Sequence, residues 1–197
     1  MTARKPQKAK VSKKRPVHTY SELWHGSKIL LERAQAEIKG SKWLWMGSLI
    51  LTAFSFEAYM NHIGPKVFSS WETALEKTLP PESKLEVIWE RLEIDLPKNE
   101  RPRQTVRDLI KFRNNVAHGK TVPIEENTTP DADQYLDEFL GKRPLAIWEE
   151  YCTQENALRA REDIEKILQM IHNRINPKND YLFSFGIGEH SASIKDS

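Results

Sequence analysis

The fold this sequence predicts is an all-α bundle of about five or six helices, and three observations predict it. Apolar residues recur at three- and four-residue spacing over several long segments. Strand-type alternation never lasts more than a few residues, and no segment repeats itself. The composition, 39% hydrophobic and 29% charged with six tryptophans and only eight glycines, suits a soluble helical protein better than a disordered chain or a turn-rich β sandwich. At 197 residues the chain suits one domain with tails. Its divisions are a flexible basic arm over 1–17, a helical domain over 18–176 and a peripheral tail over 177–197.

The arm is rich in Lys and Pro and nearly devoid of large apolar side chains, so it cannot repay the entropy of ordering. Residues 1–16 hold seven of the 30 Lys and Arg and no acid, which leaves a charge of −5 on the rest of a chain whose total is +2. Such an arm can attract nucleic acid or an acidic partner, or remain a solvated tail. The first helix spans "YSELWHGSKILLERAQAEIKG", with Ser21 as N-cap and Gly40 as its stop. The second, "SKWLWMGSLILTAFSFEAYMNHIGP", is apolar on nearly all sides until Glu57, as a central helix packed all round should be. "SSWETALEKTLP", with Ser69 and Glu72 at capping-box spacing, and "PESKLEVIWERLEI", after Pro80 and Pro81, give two shorter helices. "RQTVRDLIKFRNNVAHG" has Thr105 and Asp108 at capping-box spacing and closes on Gly119, a residue that accepts left-handed backbone angles. A loop over 121–133 follows, and helix resumes from about 145 to 175 with a break near Thr153.

Cys152 is the only cysteine, so an intrachain disulfide and a cysteine metal cluster are excluded, and nothing marks it as a nucleophile. The N-terminus lacks the apolar core of a secretory signal, and the stretch from Trp43 to Phe56 is too short to span a bilayer, so the expected location is cytoplasmic. His62 near Glu57 and Asn61 has no His-x3-His, paired carboxylates or cysteines beside it, so no metal and no cofactor is expected. "FGIGEH" at 185–190 lacks the lysine and leading strand of a phosphate loop. The six tryptophans are spread over separate helices, as packing anchors are.

The chemistry concentrates in "KFRNNVAHGK", residues 111–120. One Arg-to-His spacing proves nothing in a chain with twelve Arg and six His, so helical position has to decide. Val106, Leu109, Ile110, Phe112, Val116 and Ala117 fill an arc of roughly 160°, and Arg113 lies inside it. A cation in an apolar stripe needs a partner or a wet cleft, and Glu57 on the second helix is the carboxylate best placed to meet it. A structural ion pair is therefore one reading of Arg113. His118 lies about 140° round from Arg113, on the polar face with Arg107, Lys111 and Asn114. Helix-end carbonyls favour its imidazolium and nearby cations oppose it, which poises it for proton transfer.

"FRNNVAHG" resembles the Arg-x4-His signature of HEPN domains, and "SFEAYMNHIG" resembles the polar, small-residue-rich motif that many of these domains bring toward it. The likeness covers about residues 40–130. It implies an all-α, commonly dimeric, in many branches metal-independent endoribonuclease of toxin, anti-phage or RNA-processing systems, with an antitoxin or defence partner in some of them. Lys120 stands where several toxin branches have tyrosine, which argues against the branch paired with nucleotidyltransferase antitoxins. Some members have lost catalysis and bind a protein or nucleotide instead. In the catalytic reading His118 is base or acid, Arg113 stabilises the phosphorane, and Asn114 orients the histidine or binds a phosphate oxygen. Glu57 and Asn61 support them, Arg107, Lys111 and Lys120 hold RNA, and a homodimer supplies the second histidine.

Overall fold

The computed structural model describes residues 9–125, 143–176, 181–186 and 189–194. Among these are six α-helices, α1 (Thr19–Ala36), α2 (Ser41–Val67), α3 (Pro81–Leu92), α4 (Arg103–Ala117), α5 (Ile147–Tyr151) and α6 (Gln154–Ile175). A π-helical turn, Trp71–Leu75, and two strands, β1 (Ala9–Lys14) and β2 (Glu189–Ile194), complete them. The all-α expectation holds. The flexible arm and the loop that were expected over 1–8 and 126–133 lie outside the described residues.

The centre of the bundle is α2, which packs against α1, α3, α4 and α6. Leu49, Ala53, Phe56, Tyr59, Met60 and Ile63 of this helix are fully buried. They meet Val106, Leu109 and Phe112 of α4 and Ile164, Ile167, Leu168 and Ile171 of α6 in one core. Small residues let α1 and α2 approach closely. Ser27 Oγ donates to Ser48 O (2.9 Å) and lies 2.6 Å from Thr52 Oγ1, while a Cβ on Gly47 would come within 2.9 Å of Leu30. Buried hydroxyls that satisfy one another avoid the cost of unpaired polar groups.

The all-round burial expected of α2 is only partly realised. Trp43 is 61% exposed and Phe54 40% exposed, and the two lie about 20° apart around the helix. The described elements cover three sides of α2 and leave this stripe open.

Helix ends depart from several local expectations. Ser21 is not the N-cap of α1; that position is His18, and the Ser21 hydroxyl is buried without a partner among the described residues. The segment after α2 forms the π-helical turn, in which Trp71 packs so tightly that a Cβ on Gly64 would lie 1.9 Å from its ring. Thr105 does not cap α4 but donates to Asp163 Oδ2 (2.5 Å), which also accepts from Arg101 Nε (2.7 Å) and so pins the start of α4 to α6. Gly119 is not left-handed; α4 ends on an ordinary bond from the His118 amide to Asn114 O (2.9 Å). The expected break near Thr153 is present, and Thr153 Oγ1 accepts from the Asn156 amide (3.1 Å) as N-cap of α6.

Both termini are corrected. Residues 9–14, expected to be part of a flexible arm, pair antiparallel with 189–194, Ala9 opposite Ile194 and Lys14 opposite Glu189. The tail is not peripheral either, because Leu182 is buried and Phe183 stacks on Trp24 with centroids 4.4 Å apart. His18 Nδ1 donates to Ser184 O (2.9 Å) on the same segment. These contacts join residues some 160 or more positions apart, beyond the reach of local pattern.

Candidate functional site on helix α4

Arg113 projects from the apolar stripe of α4 toward α2, and Glu57 meets it there, as its position in the sequence predicts. Arg113 Nη2 donates to Glu57 Oε2, Nη1 donates to Asn114 Oδ1 (2.9 Å), and the guanidinium carbon lies 5.7 Å from the centroid of Phe54. The side chains of Arg113 and Glu57 are 17% and 29% exposed, so the pair sits at the margin of the core rather than within it. Arg113 Nε is buried with no partner among the described residues. The guanidinium is thus oriented on two sides and has spare donor capacity.

His118 is exposed, and its ring has no hydrogen-bond partner among the described residues. As the C-cap of α4 it lies beside the last carbonyls of that helix. Its helical position remains about 140° from Arg113, so a single chain does not turn the two side chains into one cleft. Asn114 stands between them, its side chain engaged by Arg113 and its backbone carbonyl by the amide of His118.

Asn61 does not turn toward α4. It accepts from Lys84 Nζ of α3 (2.9 Å), and Lys84 is only 3% exposed. Its role among the described residues is to satisfy a buried ammonium group. Arg107 donates to the carbonyl of Lys98, and with Lys111 and Asn114 it borders an open basin of about 560 Å³. Lys120 is exposed beyond the helix end.

One cavity escaped the sequence reading. Between α4 and α5 lies an alcove of about 240 Å³ lined by Asp108, Lys111, Phe112, Asn115, Trp148 and Tyr151. It shares Asp108, Lys111 and Asn115 with the basin. Asp108, Lys111 and Asn115 form an i, i+3, i+7 set, and that spacing was the available signal. Trp148 and Tyr151 lie more than 30 positions later and cannot be placed opposite them by local pattern. The rings of Phe112 and Tyr151 stack with centroids 5.2 Å apart. Burial, and secondarily the charge of Asp108, push the Tyr151 hydroxyl up to about 12, so it stays protonated near neutral pH.

Two further titratable groups belong to packing. Burial pushes the Cys152 thiol up to about 11, and its Sγ donates to Trp148 O (3.3 Å). Burial, with Lys66 and the histidines 18 and 172 adding to it, lowers His62 to about 4. Lys66 Nζ lies 3.2 Å from His62 Nε2, which accepts as the neutral ring. Among the described residues no three His, Cys, Asp or Glu side chains come together as a metal-ligand set, and no helix is long and apolar enough to cross a membrane.

Comparison of the chain with protein-family models, with curated proteins and with solved structures returns no match.

Proposed function

We propose that the chain is a metal-independent endoribonuclease of a toxin or anti-phage defence role that works as a homodimer. One observation carries the reading: Arg113 is oriented by Glu57 and by Asn114, which also lines the basin that Arg107 and Lys111 share with Glu82 and Asp108, and the ring of His118, unengaged among the described residues, follows one and a half turns later. RNA brings its own nucleophile. A neutral His118 takes the proton of a 2′-hydroxyl, whose oxygen attacks the adjacent phosphorus. The P–O5′ bond breaks, and an imidazolium on the opposite side protonates the departing 5′-oxygen. The products are a 2′,3′-cyclic phosphate and a 5′-hydroxyl. Arg113 holds two equatorial oxygens of the phosphorane through its paired N–H groups, and Asn114 fixes the guanidinium.

The wide angle between Arg113 and His118 makes a second copy part of the proposal. A two-fold axis beside α4 sets His118 of one chain across from Arg113 of the other and supplies both base and acid. The uncovered stripe of α2 at Trp43 and Phe54 gives such an interface an apolar centre, and Arg113 lies directly against Phe54.

A second reading is a catalytically silent helical module that binds a protein or nucleotide. It is favoured by the Glu57 pairing, which already balances the Arg113 charge. Single-stranded RNA incubated with the purified chain in EDTA separates the two. The nuclease reading predicts cleavage that disappears in His118→Ala. Equal inertness of both proteins toward varied RNAs, with fold and oligomeric state unchanged, favours the silent module.

A further inference from the structure

The alcove between α4 and α5 has polar side chains that no described residue engages by hydrogen bond or ion pair. The side chains of Asp108, Lys111 and Asn115 make no hydrogen bond or ion pair with any described residue, although all three line the same cavity. The Tyr151 hydroxyl on the facing wall is buried, and the Asp108 carboxylate and the Arg159 guanidinium are among the groups that act on it. Lys111 is exposed and Asp108 and Asn115 are half-buried, so the three stand on the wall of the alcove with hydrogen-bonding capacity open to a ligand.

The shape limits what the ligand can be. Trp148, Tyr151 and Phe112 present aromatic surface, and about 240 Å³ falls below the roughly 300–1,000 Å³ of drug-sized ligand sites. One planar fused ring fills such a space and stacks on it. The polar rim limits the chemistry further. A carboxylate accepts and does not donate, so Asp108 needs two adjacent donors. Among the RNA bases only guanine offers them, N1–H beside N2–H₂. Adenine and cytosine place a bare ring nitrogen next to their amino group, and uracil flanks its one N–H with carbonyls. Lys111, one turn along, then faces the guanine O6, and the Asn115 amide can donate or accept beside it.

We infer that this alcove is a guanine-base site, with Asp108 reading the N1–H and N2–H₂ edge against the aromatic wall of Trp148 and Tyr151. The basin opens from its rim through Asp108, Lys111 and Asn115; Arg107 lines it together with Glu82, and the N–H groups it does not give to Lys98 O and Asn99 Oδ1 are open to a phosphate of the same nucleotide. The inference deepens the ribonuclease reading, for which it names guanosine as the residue held beside His118. It does not require cleavage, since the pocket stands on its own geometry. The guanine can belong to a free nucleotide or to a single-stranded RNA.

The test is calorimetric titration of the full chain with 3′-GMP, 3′-IMP, 3′-AMP and 3′-UMP, none of which can be cut. The expected order has 3′-GMP tightest, with 3′-IMP weaker because it lacks the N2 amino group. Adenosine and uridine nucleotides should be about tenfold or more weaker than 3′-GMP. Asp108→Asn should erase the preference, and Trp148→Ala should weaken all four alike. Equal binding of the four, no saturable binding, or an unchanged preference in Asp108→Asn overturns the inference. A short oligonucleotide with a single deoxyguanosine identifies the source. Binding tighter than 3′-GMP, and weakened by salt, points to RNA, whereas equal affinity points to a free nucleotide. A chain that prefers 3′-GMP yet cuts no RNA overturns the nuclease reading alone.

Discussion

Arg113 shows how much one residue can disclose. A guanidinium in an apolar stripe has to find a carboxylate, and Glu57 was identifiable because it interrupts the longest apolar helix at a matching level. Removing either partner strands the other at the core margin. Arg113→Ala should therefore lower stability by about 1–3 kcal/mol, less than for a fully enclosed pair, as read in chemical denaturation. His118 has no such tie, so His118→Ala should stay within about 0.5 kcal/mol of the parent. The pair of variants thus separates structural from chemical roles, because loss of cleavage without loss of stability is expected only at His118. His62 gives a pH signature. Its folded pKa of about 4 lies below the ordinary 6.5, so its neutral form is favoured on folding. The resulting stabilisation is complete above pH 6.5 and is lost as pH falls toward 4. A melting temperature that drops over that range, with a shallower drop in His62→Gln, checks it.

At the scale of elements, long periodic segments were legible and their ends were not. The bodies of α2, α3 and α6 follow from apolar spacing and α3 starts at Pro81, but α2 runs through Pro65 to Val67, and Thr105 misled because Asp163, 58 residues away, claims its hydroxyl. The clamp of Asp163 on Thr105 and Arg101 ties the start of α4 to α6, so Asp163→Ala should cost about 1–3 kcal/mol, chiefly by leaving the buried Thr105 hydroxyl unmatched while Arg101 keeps Glu162. Gly64 has a similar long-range reason. A methyl group there collides with Trp71, and Gly64→Ala should destabilise by about 1–3 kcal/mol or more through displacement of the π-helical turn. Thermal unfolding resolves both effects, since 1 kcal/mol moves the midpoint of a chain this size by roughly 2–4 °C. The α4–α5 alcove was half legible: its polar rim lies on one helix, but its aromatic wall comes from beyond the next loop.

Across the whole molecule, what the sequence concealed is what joins its two ends. The ribbon of 9–14 with 189–194 and the strap of 181–186 on α1 depend on pairings that no local window contains. The stripe of α2 that the described elements leave open was equally hidden, because a helix apolar on all sides gives no sign of which side they will not cover. If that stripe is the centre of a two-fold interface, Trp43→Asp should halve the mass seen by light scattering and reduce RNA cleavage together with it. The central claim is cleavage by the 2′-hydroxyl of the substrate, and it is met most directly by comparing an RNA that the chain cuts in EDTA with its fully 2′-deoxy counterpart. The account predicts a 2′,3′-cyclic phosphate on the RNA product and an intact deoxy strand. A cut deoxy strand, or a 5′-phosphate on the RNA product, would contradict it.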